Sequence, residues 1–188
     1  DDLYHQQITE GNLIHDEIRR IASRANVDFS VDVTINRDHD ITTAYAGEPV
    51  AADALVFGGT HSLLEQSYDP QELLHGNVNA DGYGVVWYRD GVPVRAESAR
   101  PIWQDENLRV LLESVSSSTI VAAVRNATPG IPITGGNQPL VHGRWSFILN
   151  GFVEDFRGSH MRALRSHLPD DLYGHLASSS DTETLFFL

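Results

Sequence analysis

The chain has 188 residues, a formal net charge of −13 and 41% hydrophobic residues, which suits one domain with a core of its own. It contains no cysteine, and all thirteen basic residues are arginine. Disulfides, thiolate metal sites, a cysteine nucleophile, a Schiff-base lysine and a phosphate-loop lysine are therefore excluded within these residues. The acidic charge disfavours nucleic-acid binding, and no apolar run approaches the length of a membrane span.

Residues 1–40 are predicted to form a separate N-terminal extension. Apolar residues at helical spacing between residues 9 and 26 predict an amphipathic helix, and the alternation in "VDFSVDVTI" predicts a half-buried strand over 27–35. The charged segment "NRDHD" then ends the pattern. The start of the chain is polar and acidic, unlike a secretory signal, so we expect a cytoplasmic protein.

From Ile41 onward, short apolar strands alternate with helices and glycine-containing turns, so residues 41–188 are predicted to form one α+β layered domain. The clearest local signal is "YGVVWYRDGVPVRAES", in which Asp90-Gly91 predicts a hairpin turn between two strands. Further strands are predicted in "TAYAG", "TIVAAVRNA" and "RWSFILNG", and helices in "AADALVF", "THSLLEQSY", "ENLRVLLESV", "SHMRALRSHL" and "TETLFFL".

Generic catalytic motifs are absent from the sequence: there is no GxSxG elbow, no HExxH and no phosphate loop. The nine histidines include no pair at i, i+4, and we expect neither a metal ion nor a cofactor. Several polar residues do lie at the ends of apolar strands or at the start of the last helix, where active-site groups are commonly mounted. The polar residues are Asp81, Arg125, Thr128, Asn150 and Asp181, and Gly82 and Gly151 adjoin two of them.

Each of these residues also has an ordinary interpretation. Arg125 suits a surface ion pair, Asn150-Gly151 suits a turn, and Asp181 suits the N-cap of the last helix. Taken singly, the ordinary interpretation is the more frequent outcome. Their order along the chain favours a different explanation.

Taken together, these residues and their neighbours resemble a class II glutamine amidotransferase domain of the N-terminal-nucleophile hydrolase superfamily. The resemblance runs from about residue 41 onward and is closest to the γ-glutamyl amidohydrolase of ergothioneine biosynthesis. It implies an αββα sandwich. The segments that carry it are "AYAGEPV", "HSLLEQSYDP", "GNVNADGYGVVWY", "ARPIWQDENLR", "AAVRNATPG", "HGRWSFILNG" and "SDTETLF".

The resemblance implies a substrate clamp. Arg125, with Thr128 beside it, would bind the α-carboxylate of a glutamyl substrate, which suits a fork of guanidinium donors. Asp181 would pair with the α-ammonium of the same substrate. Asp81 and Gly82 are expected to contribute to the same binding site. A glutamyl-containing small molecule is therefore the expected ligand.

The resemblance also implies an oxyanion hole, formed by Asn150 and the backbone N–H of Gly151. Such donors meet a charge that develops only in the tetrahedral state, and each contributes about 3 kcal/mol there.

The nucleophile of the family is missing. Members normally begin Met-Cys-Arg, and after removal of the methionine the cysteine amine serves as the base for its own thiol. Alignment on "AYAG" places Asp40 at the position of that cysteine. Thr42 and Thr43 lie nearby, and threonine is the nucleophile elsewhere in the superfamily, so cleavage before either is an alternative. They are two and three positions out of register, and an odd shift in a strand moves the side chain to the other face.

Two other positions depart from the family pattern. The usual "HNG" is "LNG" here, with Leu149 in place of histidine, and Gln138 stands where a His-Pro is common. The chain also stops within the helix after Asp181, so we expect the fold to be incomplete at the C-terminus unless residues 27–35 supply a strand. An open sheet edge is an association site, and a partner chain or homo-oligomer is therefore expected.

Two hypotheses follow. The first-ranked is a glutamine amidotransferase-like protein that lacks its own cysteine nucleophile and is a non-catalytic or partner-dependent subunit able to bind a γ-glutamyl ligand. The alternative is an active γ-glutamyl amide hydrolase of the ergothioneine-pathway type, which uses a processed N-terminal threonine or a nucleophile not present in this chain. Neither a nucleic acid nor a membrane is expected as a partner.

Overall fold

The computed structural model describes residues 41–58, 62–70, 78–126, 137–150 and 153–188. The predicted extension over residues 1–40 lies outside them, and so do Asp40, Thr128 and Gly151. The described strands are β1 (Ile41–Ala51), β2 (Tyr83–Arg89), β3 (Val92–Ser98), β4 (Ser116–Val124), β5 (Leu140–His142) and β6 (Trp145–Phe147). The described α-helices are α1 (Ala52–Phe57), α2 (Leu63–Tyr68), α3 (Glu106–Glu113), α4 (Met161–Arg165), α5 (Asp170–Tyr173) and α6 (Asp181–Phe187).

The main sheet contains four antiparallel strands in the order β1-β4-β2-β3. Its β2–β3 hairpin turns at Asp90 and Gly91, which have positive φ angles of 52° and 76°. Two successive positive φ angles match the right-handed twist of the flanking strands, which is why Asp-Gly is favoured in such turns. The predicted hairpin is confirmed.

One face of the main sheet packs against helices α1, α2 and α3. Alternate residues of β2 and β4 point to this face, as the two-residue period of a strand requires. The buried cluster on this side contains Ala52, Val56, Leu63, Tyr83, Val85, Trp87, Ile102, Leu108, Leu112, Val115, Ile120, Ala122 and Val124.

The opposite face of the main sheet is covered by the two-stranded sheet β5–β6. Tyr88 of β2 reaches it, since its hydroxyl lies 2.9 Å from Ser146 Oγ. Helix α6 packs on β5–β6 in turn, with the rings of Phe147 and Phe186 stacked at 5.5 Å. The order of layers is therefore helices, sheet, sheet, helix, and the predicted αββα arrangement is confirmed.

Two predicted elements differ in extent. The strand predicted in "RWSFILNG" ends at Phe147, because the backbone of Leu149 is hydrogen-bonded to the side chain of Gln138 instead of to a neighbouring strand. The helix predicted in "SHMRALRSHL" begins earlier, as a π-helical turn at Phe156–His160. That turn follows Asp155, whose left-handed φ of 47° redirects the chain.

A tyrosine–aspartate hydrogen bond ties β2 to the start of α3. The Tyr83 hydroxyl donates to Asp105 Oδ2 at 2.6 Å, and Asp105 Oδ1 accepts the N–H of Leu108 at 3.1 Å. The bond from Tyr83 holds the pKa of Asp105 below its ordinary value. Burial, followed by the bond to Asp105, raises the pKa of Tyr83 above its ordinary value.

Replacing Tyr83 by phenylalanine is expected to lower the free energy of unfolding by about 1 kcal/mol at neutral pH, the usual net contribution of one hydrogen bond. Because the folded pKa of Asp105 is depressed, this stabilisation is present above the ordinary value of 3.8 and is lost as pH falls through the folded pKa. Urea denaturation at neutral and acidic pH measures the difference in free energy of unfolding between the wild type and Tyr83→Phe. This difference should become smaller in acid. Tyr173→Phe, at an exposed ring, is the control; equal losses in both variants would contradict the assignment.

Candidate functional site

Three strands of the main sheet meet at one end around Arg125. This residue follows β4, and its backbone N–H donates to the carbonyl of Gly82 at 2.9 Å. The N–H of Asp81 donates in turn to the carbonyl of Arg125 at 3.0 Å. On the other side of β4, β1 begins at Ile41, which is paired with Val124. The fold thus brings Asp81, Gly82 and Arg125 together at the end of the sheet where β1 starts.

Arg125 is buried, with 8% of its surface exposed. Its neighbour Val124 belongs to the core under the helices, so strand alternation directs Arg125 to the opposite face. Arg125 is therefore not the surface residue that its ordinary interpretation assumed. A guanidinium taken out of water attracts a carboxylate more strongly than an exposed one does, because the charges are less screened.

Gly82 has a backbone conformation that excludes larger residues. Its φ is +126°, and a Cβ at this position would lie 2.7 Å from the carbonyl oxygen of Ser98 and 2.8 Å from Oδ1 of Asn137. Only glycine tolerates both the conformation and this close approach. The close packing of Asn137 therefore explains why this position is glycine without any ligand. The substrate-binding role of Gly82 stays a prediction.

Thr42 and Thr43, the candidate alternative nucleophiles, lie on opposite faces of β1. Thr43 is paired with Ala122 of the helix-covered core, whereas Thr42 is paired with Ala123 on the other face. Arg125 lies on the same face as Ala123, two residues further along. Of the two threonines, Thr42 is therefore the one that shares a face of the sheet with Arg125.

Asn150 follows a backbone segment that is held by a side chain. Gln138 Nε2 donates to the carbonyl of Leu149 at 2.9 Å, and the N–H of Leu149 donates to Gln138 Oε1 at 2.5 Å. Gln138 is itself buried. Gly151, the other residue predicted for the oxyanion hole, lies outside the described residues.

Asp181 is the first residue of α6, and Ser180 is the N-cap. The ordinary interpretation of Asp181 as the cap is therefore wrong by one residue, since Ser180 Oγ accepts the N–H of Glu183 at 3.1 Å. The Asp181 carboxylate instead accepts the N–H of Val153 at 2.6 Å and that of Thr182 at 2.7 Å. These bonds fix Asp181 against the segment that follows β6.

Sequence reasoning missed Glu183, a buried carboxylate two residues from Asp181. It accepts the N–H of Ala177 at 2.8 Å, the N–H of Ser178 at 2.7 Å and the hydroxyl of Ser178 at 2.8 Å. The signal in the sequence is Ser180-x-x-Glu183, the spacing of a capping box, in which the glutamate reaches back to the N–H of the cap residue. Here Ser178 Oγ accepts that N–H, at 3.2 Å, and Glu183 reaches the preceding loop.

Other site types find no support in the part of the chain that the structure describes. No three histidine, aspartate or glutamate side chains are grouped there as metal ligands. No helix there is long and apolar enough to cross a bilayer. A cavity of about 310 Å³, lined by residues that include Trp87, Arg89 and Ser116, lies at the opposite end of the main sheet and contains none of the predicted site residues.

Known proteins resemble this chain in sequence and in fold. "Gamma-glutamyl-hercynylcysteine sulfoxide hydrolase" of Mycobacterium tuberculosis (strain CDC 1551 / Oshkosh) is 38% identical over 111 residues, which are 58% of this chain and 48% of that protein. "Probable glutamine amidotransferase DUG3" of Saccharomyces cerevisiae is 29% identical over 150 residues, 75% of this chain and 42% of that protein. A solved glutamine aminotransferase class-II domain protein from Silicibacter pomeroyi superposes with a TM-score of 0.54 at 23% identity, covering 80% of this chain and 53% of that one.

The chain has the fold of a class II glutamine amidotransferase domain. It is homologous to proteins named as a γ-glutamyl hydrolase and as a glutamine amidotransferase, which confirms the resemblance seen in the sequence. This amidotransferase-like chain spans about half the length of the curated relatives it matches. No sequence profile of a protein family matches it.

Proposed function

We propose that this amidotransferase-like protein binds the head group of a γ-glutamyl compound and has no cysteine nucleophile of its own in these 188 residues. It would then be a non-catalytic or partner-dependent subunit. The observation that carries the proposal is the burial of Arg125 at the start of β1, where two backbone hydrogen bonds fix it to Asp81 and Gly82. The name of the mycobacterial relative supports a γ-glutamyl compound as the ligand class.

The electrostatics of the two layers suit a zwitterion. Arg125 supplies a cation on the main sheet, and Asp181 supplies an anion at the start of α6. A glutamyl head group carries an α-carboxylate and an α-ammonium, so the two side chains match it in sign. Asn150 would then meet the γ-carbonyl of the same ligand.

The second candidate function is an active γ-glutamyl amide hydrolase. The position of Thr42 on the face of Arg125 supports it, because cleavage before Thr42 would give a free amine next to a hydroxyl, the pairing that threonine hydrolases use. A nucleophile contributed from outside this chain belongs to the same alternative.

The deciding experiment combines calorimetric titration with L-glutamine, a glutamate-release assay on a γ-glutamyl amide, and intact mass of the purified protein. Binding without release, on an unprocessed chain, is the expected result. Glutamate release by a chain that begins at Thr42 would favour the hydrolase instead, and absence of binding would refute the ligand class.

A partner chain or homo-oligomer is the remaining part of the proposal. Light scattering coupled to size-exclusion chromatography tests it directly. A stable monomer over a range of concentrations, with L-glutamine still bound, would count against a homo-oligomer and leave the binding role in place.

A further inference from the structure

We propose that Gln138 is a positioning residue, which holds the backbone at Leu149 so that Asn150 faces the γ-carbonyl of a bound glutamyl ligand. The inference rests on the proposed function, because it concerns the same site. It assigns a role to the position at which this chain has glutamine where the family pattern commonly has histidine.

The geometry of the contact fixes an orientation as well as a distance. A primary amide is one planar group with an acceptor and a donor, and Gln138 uses one of each on a single residue, Leu149. The carbonyl of Leu149 and the N–H of Asn150 belong to the same planar peptide. A hydrogen bond that orients the Leu149 carbonyl therefore also orients the N–H of Asn150, and so the direction in which the Asn150 side chain leaves the backbone.

The backbone of Gln138 packs against the main sheet. A Cβ added at Gly84 of β2 would lie 2.2 Å from the Gln138 carbonyl oxygen, so this backbone rests directly on the strand. The preceding residue, Asn137, donates from Nδ2 to the carbonyl of Ser98 at 2.9 Å. The Arg95 guanidinium donates to the carbonyl of Asn137.

These contacts form a continuous path from the main sheet to the segment that follows β6. The path runs from β2 and β3 through Asn137 and Gln138 to Leu149, and it ends at Asn150. Gly82, whose carbonyl accepts the backbone N–H of Arg125, also contacts this path, because Oδ1 of Asn137 lies close to it. The Asn137–Gln138 dipeptide thus contacts both the Arg125 end of the main sheet and the segment that follows β6.

A carboxylate cannot replace this amide. Gln138→Glu keeps nearly the same shape and an acceptor for the N–H of Leu149, but it removes the donor and places a second acceptor against the Leu149 carbonyl. Gln104→Glu, on an exposed turn, makes the same chemical change away from the site and is the matched control.

The test titrates the full chain with two amino acids by calorimetry. L-Glutamine carries the γ-carbonyl, and L-norvaline has the same α-amino acid head group without it. We expect Gln138→Glu to weaken L-glutamine binding by about tenfold and to leave L-norvaline binding within about twofold, since only the first ligand uses the Asn150 segment. Amide hydrogen exchange at Asn150 should accelerate by about tenfold in the same variant, because the Leu149–Asn150 peptide loses the donor that holds its carbonyl.

Equal losses of both ligands, or no loss of either, would overturn the role of Gln138 while leaving the proposed function in place. Wild-type protein that binds neither ligand would overturn the proposed function and this role with it. If Gln138→Glu does not fold, Gln138→Met, which is of similar size and lacks both hydrogen-bonding groups, is expected to give the same split between the two ligands. Unchanged L-glutamine binding in that variant would again refute the inference.

Discussion

Replacing Arg125 by methionine is expected to weaken L-glutamine binding by about 100-fold, which corresponds to about 3 kcal/mol. The effect is large because Arg125 is buried, so its interaction with an α-carboxylate is only weakly screened. Methionine keeps much of the length and packing of the arginine stem. The backbone hydrogen bonds to Asp81 and Gly82 do not involve the side chain, so the strands should keep their pairing.

The measurement is a calorimetric titration with two ligands and two variants. 4-Aminobutanamide has the amide and amine of L-glutamine and lacks its α-carboxylate. Its affinity should be unaffected by Arg125→Met if the guanidinium binds that carboxylate. Arg89→Met, at an exposed position at the far end of β2, is the matched control and should bind both ligands as the wild type does. A parallel loss of both ligands in Arg125→Met would point to a structural defect and count against the clamp.

Replacing Glu183 by glutamine is expected to lower the free energy of unfolding by about 2 to 3 kcal/mol. Both oxygens of this buried carboxylate accept hydrogen bonds, from the N–H groups of Ala177 and Ser178 and from the hydroxyl of Ser178. An amide retains one acceptor oxygen and turns an NH₂ group towards donors, so at least one buried group loses its partner. The loop before α6 should loosen as a result.

Urea denaturation measures the stability loss, and hydrogen exchange at Ala177 and Ser178 measures the loosening. Glu154→Gln, an exposed glutamate, is the matched control and should change stability by less than about 0.5 kcal/mol. Because Asp181 lies two residues before Glu183 on α6, L-glutamine binding should also weaken in the first variant. Equal stability of the two variants would mean that the carboxylate does not support the loop.

The elements that could be predicted from the sequence are those decided by neighbouring residues. The hairpin at Asp90-Gly91 depends on two positive φ angles, which these residue types favour locally. The strand that precedes Arg125 and the helix that begins at Asp181 could be predicted from periodicity and capping, because these signals also come from neighbouring residues. The cap itself was misplaced by one residue, since both Ser180 and Asp181 carry a side chain suited to it.

The site was harder to predict, because its contacts join residues that are distant along the chain. Nothing near Arg125 in the sequence indicates that it is buried, because its burial depends on residues that only the folded structure brings around it. The candidate residues came from the likeness to glutamine amidotransferases. The strand register then showed that Thr42 shares a face of the sheet with Arg125 and that Thr43 does not.

The sequence by itself determined the absence of cysteine, the hairpin and the likeness to an amidotransferase domain, since composition, local conformation and residue order are properties of the chain alone. It did not reveal the short strand β5 or the short helix α5. Only the tertiary structure decided that the amide of Gln138 pairs with Leu149 and that Glu183 holds the loop before α6. The backbone group that such a side chain bonds to lies elsewhere in the sequence or in a loop. Only the packing of the folded layers brings the two groups together.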